Sequence, residues 1–124
     1  MKTKLIIGFI TIIIITVIIS LSISTNTKPS SLDDFAKCLT EKGAKMYGTY
    51  WCGYCQNQKQ AFGTSWEFIN YIECSLPDRG GQTSECTEEG ITGYPTWKFA
   101  DGSEKSGILS LNLLEEKTGC QLLN

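Results

Sequence analysis

Histidine is absent from all 124 residues of the sequence. Its absence excludes Ser-His-Asp and Cys-His catalysis, ligation of zinc or haem by imidazole, and imidazole acid-base chemistry. An excess of basic residues is also lacking. The 11 Lys and Arg include Lys2 and Lys4, whereas all 13 Asp and Glu follow residue 25, so the later part of the chain carries about −4. We therefore expect no nucleic-acid partner.

Cysteine is the residue type that the chain has in excess, with six in 124 residues. Small domains that are rich in cysteine are typical of oxidising compartments, where disulfide bonds persist. Only Cys52 and Cys55 are closely spaced, whereas a four-thiolate zinc site usually presents two such pairs. The sequence therefore favours thiol-disulfide chemistry over zinc binding, and we expect neither a metal nor a cofactor.

Residues 5–23 are almost wholly apolar and follow Lys2 and Lys4. As a helix with a rise of ~1.5 Å per residue, this segment reaches ~29 Å, close to the hydrocarbon thickness of a bilayer. Residues 1–24 are therefore predicted to form a signal anchor with one transmembrane helix. The alternative is a signal peptide cleaved near residues 22–24, but its apolar region would be shorter. The positive-inside rule keeps the lysines in the cytoplasm and places the C-terminal domain on the extracytoplasmic side, periplasmic or extracellular.

The rest of the chain is predicted to be a polar linker over residues 25–30 and one domain over residues 31–124. Ser31 is the predicted cap of a first helix. Hydrophobic periodicity and turn residues then predict strands over 44–50, 68–74, 96–100 and 105–108, and helices over 55–62, 83–89 and 111–117. Short crossovers make the first two strands parallel, and the last two form an antiparallel hairpin. The predicted fold class is α/β, a mixed sheet of about four strands flanked by helices.

Cys52 and Cys55 lie at the junction of a predicted strand and the helix that follows it. Unpaired backbone N–H groups and the helix dipole stabilise a thiolate at such a position. Cys52 is therefore the predicted catalytic nucleophile, and Cys55 is predicted to attack the mixed disulfide that Cys52 forms with a substrate. A purely structural disulfide between them is the alternative.

Three features in this order resemble the thioredoxin superfamily: Trp51-Cys52-Gly53-Tyr54-Cys55, Gly93-Tyr94-Pro95-Thr96, and a closing hairpin and helix. The resemblance implies a thioredoxin-like fold over about residues 31–120, in which Pro95 is cis and faces the two cysteines. It also implies that Tyr94 and Pro95 form a substrate-binding wall. Trp51 and Tyr54 are expected to contact the substrate, whereas Tyr50 is expected to pack in the core.

Four longer stretches carry a narrower resemblance: Lys45-Met46-Tyr47-Gly48-Thr49-Tyr50-Trp51-Cys52, Cys55-Gln56-Asn57-Gln58-Lys59, Gly93-Tyr94-Pro95-Thr96-Trp97 and Ser106-Gly107. They resemble the thioredoxin-like domain attached to bacterial vitamin K epoxide reductase homologues. This resemblance implies a domain that takes electrons from folding secreted proteins and passes them to a quinone-reducing membrane partner. Because the 124 residues lack the four-helix quinone-reducing part, we expect that partner to be a separate protein.

Two positions depart from the thioredoxin pattern. Met46 stands where thioredoxins have a buried acid in the strand before the motif, so a proton relay through that carboxylate is not expected. Tyr54 replaces the proline of thioredoxin and the histidine of strong oxidants, which leaves the redox potential open.

The remaining four cysteines allow three pairings once Cys52 and Cys55 are set aside. We favour Cys74 with Cys86, which would close the loop over residues 76–84, and Cys38 with Cys120, which would join the first helix to the last. Both pairs are predicted to be structural disulfides. An electron relay through one of them is the alternative.

Taken together, these features predict an exported, membrane-tethered enzyme that exchanges disulfides with protein cysteines. The predicted direction is oxidation of protein thiols, coupled to a vitamin K epoxide reductase-like membrane partner. A tethered disulfide reductase or isomerase is an alternative with the same chemistry. From a different class, a noncatalytic module that binds peptides is the other alternative.

Overall fold

The structure is a computed structural model that describes Met1, residues 6–8, 10 and 12–17, and the continuous range 32–122. The residues described between 6 and 17 are helical. In the described part of the chain, no helix is both long and apolar enough to cross a membrane. The predicted transmembrane segment lies only partly within the described residues, and the predicted linker over 25–30 and Ser31 lie outside them.

Residues 32–122 contain four α-helices, four strands and two short 3₁₀ segments. The helices are α1 (Asp33–Glu41), α2 (Gly53–Phe62), α3 (Ser84–Glu88) and α4 (Leu111–Thr118), and the strands are β1 (Lys45–Gly48), β2 (Tyr71–Glu73), β3 (Thr96–Lys98) and β4 (Glu104–Ser106). The 3₁₀ segments are Gly63–Phe68 and Pro77–Arg79. The order of helices and strands is the predicted one, but every strand is shorter than predicted.

The four strands form one mixed sheet in the order β2-β1-β3-β4. β1 and β2 are parallel, and the other two neighbouring pairs are antiparallel. In the parallel pair, Met46 lies opposite Tyr71 and Gly48 lies opposite Glu73. A mixed four-stranded sheet with flanking helices fits the thioredoxin-like fold. The inner strand β1 leads directly into the turn that carries Cys52.

The main hydrophobic core joins the helices to the sheet. Leu39 of α1, Phe62 of α2 and Leu114 of α4 are buried together with Met46 of β1 and Trp97 of β3. Burial of a side chain of this size stabilises the fold by about 1.5–3 kcal/mol. The first and last helices therefore share one core with the helix that carries Cys55.

Gln58 is a polar side chain of α2 that lies fully buried beside this core. Its Nε2 donates to the carbonyl of Leu109 at 3.1 Å, and its Oε1 accepts from the N–H of Leu109 at 2.7 Å. The indole N–H of Trp97 also donates to Oε1, at 3.3 Å. These bonds hold α2 against β3 and against the segment that precedes α4.

Two disulfide bonds restrain the domain. Cys38 of α1 is bonded to Cys120, just beyond α4, and Cys74 is bonded to Cys86 of α3. Both are the pairings that the sequence favoured. The first bond joins the two ends of the described domain, and the second closes the segment between β2 and α3.

Candidate active site

Cys52 lies at the start of α2, where the chain turns after β1. Its N–H donates to the carbonyl of Thr49 at 3.1 Å, which forms the turn, and Cys52 is the N-cap residue of the helix. The N–H of Cys55 donates to Cys52 Sγ at 3.2 Å. A negatively charged sulfur at this position is stabilised by that N–H and by the positive end of the helix dipole. The geometry therefore suits a thiolate at Cys52.

Cys52 and Cys55 are both free thiols, and they differ in access to solvent. Cys52 is 8% exposed and Cys55 is 3% exposed. The outer sulfur is therefore the one that a substrate reaches more readily. This arrangement is compatible with the predicted roles of Cys52 as the attacking cysteine and Cys55 as the resolving one, which stay predictions.

The environment of Cys55 favours the neutral thiol. Burial, chiefly, raises its pKa from 9.0 to about 12, and its hydrogen bond with Cys52 and the negative charge of Glu73 act in the same direction. A backbone hydrogen bond at Thr49 opposes them. Cys55 therefore holds its proton at neutral pH, and any reaction in which it acts as a thiolate needs a proton acceptor.

The backbone of Tyr94 lies close to Cys52, and Pro95 follows it in the chain. The Tyr94–Pro95 peptide bond is cis, and Pro95 is fully buried. Cys52 Sγ is 3.7 Å from the carbonyl oxygen of Tyr94. The Tyr94 hydroxyl accepts a hydrogen bond from Nε2 of Gln82 at 2.7 Å, which fixes its ring. Three of the predicted site residues, the two cysteines and Tyr94, are therefore in contact, and Pro95 is bonded to the third.

Exposed aromatic side chains surround this site. Trp51 is 43% exposed, and its ring packs edge-on against Tyr94 with centroids 6.1 Å apart. Its indole N–H donates to Ser75 Oγ at 2.9 Å, and the guanidinium of Arg79 lies 5.7 Å from the ring centroid. Tyr54, on the first turn of α2, is 67% exposed. Trp51 and Tyr54 thus present apolar surface to solvent beside Cys52.

The expectation that Tyr50 packs in the core is wrong. Tyr50 is 49% exposed because it follows the end of β1 and lies in the turn before α2. Its carbonyl accepts a hydrogen bond from Nε2 of Gln56 at 3.0 Å, which holds the turn to the helix. Tyr50 therefore belongs to the site region.

A cavity that no sequence motif predicts lies beside Cys55. Its volume is about 190 Å³, and it is lined by Tyr50, Cys55, Gln56, Lys59, Trp66, Tyr71 and Glu73. Tyr71 and Glu73 come from β2 and reach the site through the parallel pairing of β2 with β1. No local motif marks them, because their approach to Cys55 depends on the register of two strands.

The two disulfides lie away from the solvent-facing part of the site. Cys74 and Cys86 are fully buried, and Cys120 is 1% exposed. Cys38 is partly buried, so the Cys74–Cys86 bond is the more enclosed of the two. Within residues 32–122, together with the few described before them, no three His, Cys, Asp or Glu side chains group as metal ligands.

Comparisons with known proteins find similar sequences and similar solved structures. No protein-family model matches the chain. The chain is 39% identical over 105 residues to Thiol-disulfide oxidoreductase LTO1 of Arabidopsis thaliana, a match that covers 81% of this chain and 27% of that protein. The chain therefore spans about a quarter of the length of this curated relative. The crystal structure of thioredoxin O2 from Arabidopsis thaliana in its oxidized state is 14% identical and has a TM-score of 0.39, with coverage of 76% of this chain and 90% of that one.

Proposed function

We propose that this chain is a protein thiol-disulfide oxidoreductase in which Cys52 and Cys55 are the redox pair. The observation that carries the proposal is the position of Cys52 Sγ, which accepts the N–H of Cys55 at 3.2 Å and lies beside the Tyr94–Pro95 wall. The match to a relative named as a thiol-disulfide oxidoreductase supports the same chemistry.

The proposed direction is oxidation of substrate thiols. The backbone N–H and the helix dipole at Cys52 stabilise the thiolate, and hence the reduced form of the pair. An enzyme whose reduced form is stabilised is a stronger oxidant, because it gives up its disulfide more readily. The pair would then be reoxidised by a vitamin K epoxide reductase-like, quinone-reducing membrane partner.

The proposed location is the extracytoplasmic side of a membrane, with a single N-terminal anchor. Two observations support it. Residues 5–23 are apolar and follow Lys2 and Lys4, and Cys38–Cys120 and Cys74–Cys86 are formed disulfides, which persist in oxidising compartments.

The reduction potential of the full chain tests both the activity and its direction. The protein is equilibrated with glutathione buffers, and the alkylated fraction of Cys52 and Cys55 is measured by mass spectrometry. A potential above ~−200 mV is expected for an oxidant, whereas a potential below ~−250 mV would mark a reductant. Cys52→Ser and Cys55→Ser are the matched controls, since each leaves the two structural disulfides unchanged.

The same experiment separates the enzyme from a peptide-binding module. An enzyme exchanges the Cys52–Cys55 disulfide with the buffer and with a cysteine-containing peptide. A pair that stays oxidised in glutathione and gives no mixed disulfide in the Cys55→Ser variant would contradict the proposed activity.

A further inference from the structure

Cys55 must exchange a proton in every catalytic cycle of the proposed function, on which this inference rests. In the oxidising direction, a substrate thiolate attacks Cys52 Sγ, the Cys52–Cys55 bond breaks, and Cys55 leaves with the electron pair and takes up a proton. In the reverse direction, Cys55 loses that proton and attacks the sulfur of Cys52 in the mixed disulfide. The Cys52–Cys55 bond forms and the substrate leaves as a thiolate.

The carboxylate of Glu73 is the acidic group that lines the cavity beside Cys55. It lies on β2 opposite Gly48, one strand away from the position where Met46 replaces the acid of thioredoxins. Because Gly48 has no side chain, Cys55 and the ring of Tyr71 can both lie close to this position. A Cβ at Gly48 would lie 2.9 Å from Cys55 Sγ and 3.0 Å from the ring of Tyr71.

Three hydrogen bonds hold the Glu73 carboxylate in place. The Tyr71 hydroxyl donates to Oε2 at 2.8 Å. The backbone N–H groups of Ser75 and Tyr50 donate to Oε1 at 2.8 and 3.3 Å. All three partners donate, and together they fill three of the about four lone-pair sites of the carboxylate. One site therefore remains for a proton.

A proton that moves between Cys55 and this carboxylate would cross the cavity that both residues line. Its volume of about 190 Å³ is several times the ~30 Å³ that one water molecule occupies in the liquid. Its lining residues include Tyr71, Gln56 and Lys59, which have polar side chains, in addition to Cys55 and Glu73. These groups give bridging water the polar partners that it needs.

We propose that Glu73, with Tyr71, is the proton acceptor and donor for Cys55, acting across the cavity. The charged and titratable groups that face this path are Cys52 at the start of α2, Lys59 on α2, and Tyr71 and Glu73 on β2, with Tyr50 at the rim. Burial, chiefly, and the hydrogen bond to Glu73 raise the pKa of Tyr71, so its hydroxyl stays protonated and acts as a donor to the carboxylate.

The test follows the mixed disulfide by rapid quenching. The reduced full chain is mixed with a short peptide disulfide, and the covalent adduct at Cys52 is quantified from pH 6 to pH 10 by mass spectrometry. Glu73→Gln keeps a carbonyl oxygen for the N–H groups of Ser75 and Tyr50 and removes the proton acceptor. General acid-base groups contribute about 10²–10⁴-fold, so we expect resolution of the adduct at pH 7 to slow by about 10²-fold or more and to recover as pH rises.

Matched variants separate the relay from other effects. Glu88→Gln removes the same charge from an exposed position on α3 and is expected to behave as the unaltered chain. Glu73→Asp restores a carboxylate and is expected to recover part of the rate at pH 7. Tyr71→Phe removes only the hydroxyl and provides a second test if Glu73→Gln does not fold. We expect this variant to lose less of the rate of resolution at pH 7 and to recover it in the same way at high pH.

Two outcomes would overturn the relay while the proposed function stands. The first is a pH profile of Glu73→Gln that coincides with that of Glu88→Gln. The second is an equal loss of rate at every pH, which would mean that Glu73 only supports the local structure. If the unaltered chain forms no adduct with the peptide disulfide, the proposed function itself fails.

Discussion

At the residue scale, Cys52 and Cys55 occupy different environments although only Gly53 and Tyr54 separate them. Cys52 Sγ receives a backbone N–H and lies beside the carbonyl of Tyr94. Cys55 is almost fully enclosed, and burial raises its pKa to about 12. The helix N-terminus thus favours charge on the outer sulfur and the interior favours a proton on the inner one. This asymmetry assigns the two cysteines different parts of one reaction.

Gly48 is the residue whose small size this arrangement requires. In Gly48→Ala, the added Cβ would lie 2.9 Å from Cys55 Sγ and 3.0 Å from Tyr71 Cε2. Such crowding of a packed interior typically costs about 1–3 kcal/mol. We expect the free energy of unfolding, measured by urea denaturation, to fall by that amount.

Gly53→Ala is the control for this substitution. Nothing lies within 4 Å of a Cβ at Gly53, which is the first residue of α2. Replacement of glycine by alanine within a helix stabilises it by about 0.5–1 kcal/mol, so stability is expected to stay equal or to rise. Equal stability of the two variants would contradict the packing described around Gly48.

The sequence predicts the residues whose role depends on local chain geometry. The motif at Cys52 and Cys55 and the position of Pro95 are of this kind, because each depends on a turn, a helix end or one peptide bond. The prediction that Tyr50 packs in the core fails because aromatic content alone does not show where a strand ends. Glu73 was missed because its contact with Cys55 depends on the pairing of β1 with β2 and on an absent side chain at Gly48.

At the scale of elements, the segment between β2 and α3 positions the exposed face of the site. Leu76 and Gly81 are joined by a backbone hydrogen bond of 2.9 Å, and Ser75 pairs with Gln82 in an isolated bridge. The Cys74–Cys86 disulfide closes this segment. Ser75 in turn accepts the indole N–H of Trp51. The disulfide therefore helps to hold Ser75 in place, and Ser75 holds the ring of Trp51 beside Cys52.

Removal of the two disulfides is expected to lower the free energy of unfolding by different amounts. The Cys74–Cys86 bond spans 12 residues and the Cys38–Cys120 bond spans 82. In the chain-entropy model these closures are worth about 3 and about 4.5 kcal/mol. We expect the Cys38→Ser, Cys120→Ser double variant to lose more stability in urea than the Cys74→Ser, Cys86→Ser double variant.

The fluorescence of the tryptophans gives an independent readout. Only the variant without Cys74–Cys86 is expected to change the environment of Trp51, because that disulfide holds Ser75. A larger loss of stability from the shorter loop would contradict the entropic account of the two bonds.

The order of the elements is predictable from the sequence, and their ends are less so. The predicted strand over 68–74 begins three residues later, because Gly63–Phe68 continues from α2 as a 3₁₀ helix. Thr40 fixes this change of direction, since its hydroxyl donates to the carbonyl of Phe68 at 2.7 Å and accepts the N–H of Asn70 at 3.0 Å. A contact between residues so far apart in the chain leaves no local signal.

At the scale of the whole molecule, the described N-terminal residues expose many apolar side chains. The side chains that are at least half exposed there are Ile6, Ile7, Ile10, Ile12, Ile13, Ile14, Ile15 and Val17. Large exposed apolar patches mark sites that contact a membrane or another protein. This surface supports the proposed membrane anchor.

A single charge in this segment is expected to weaken membrane attachment. Arginine at the centre of a membrane helix costs about 2.5–3.5 kcal/mol on insertion scales. We expect Ile13→Arg to shift the full chain from sedimented phospholipid vesicles toward the supernatant in a vesicle-sedimentation assay. Ile108→Arg, at a 45% exposed apolar position on the domain, is the control and is expected to stay with the vesicles. Equal partitioning of both variants would contradict the anchor.

The Cys38–Cys120 bond also has a mechanical consequence. Every strand, α2 and both redox cysteines lie between these two residues in the chain. When tension is applied between the segment before Leu32 and the segment after Cys120, the covalent bond carries it past all the residues between Cys38 and Cys120. A pulling force, such as a tethered domain meets when a bound partner moves, would therefore stretch the part of α1 before Cys38 and the residues after Cys120 before it reached α4 or the hydrogen bonds of the sheet. The redox site is shielded from load for as long as that disulfide is intact.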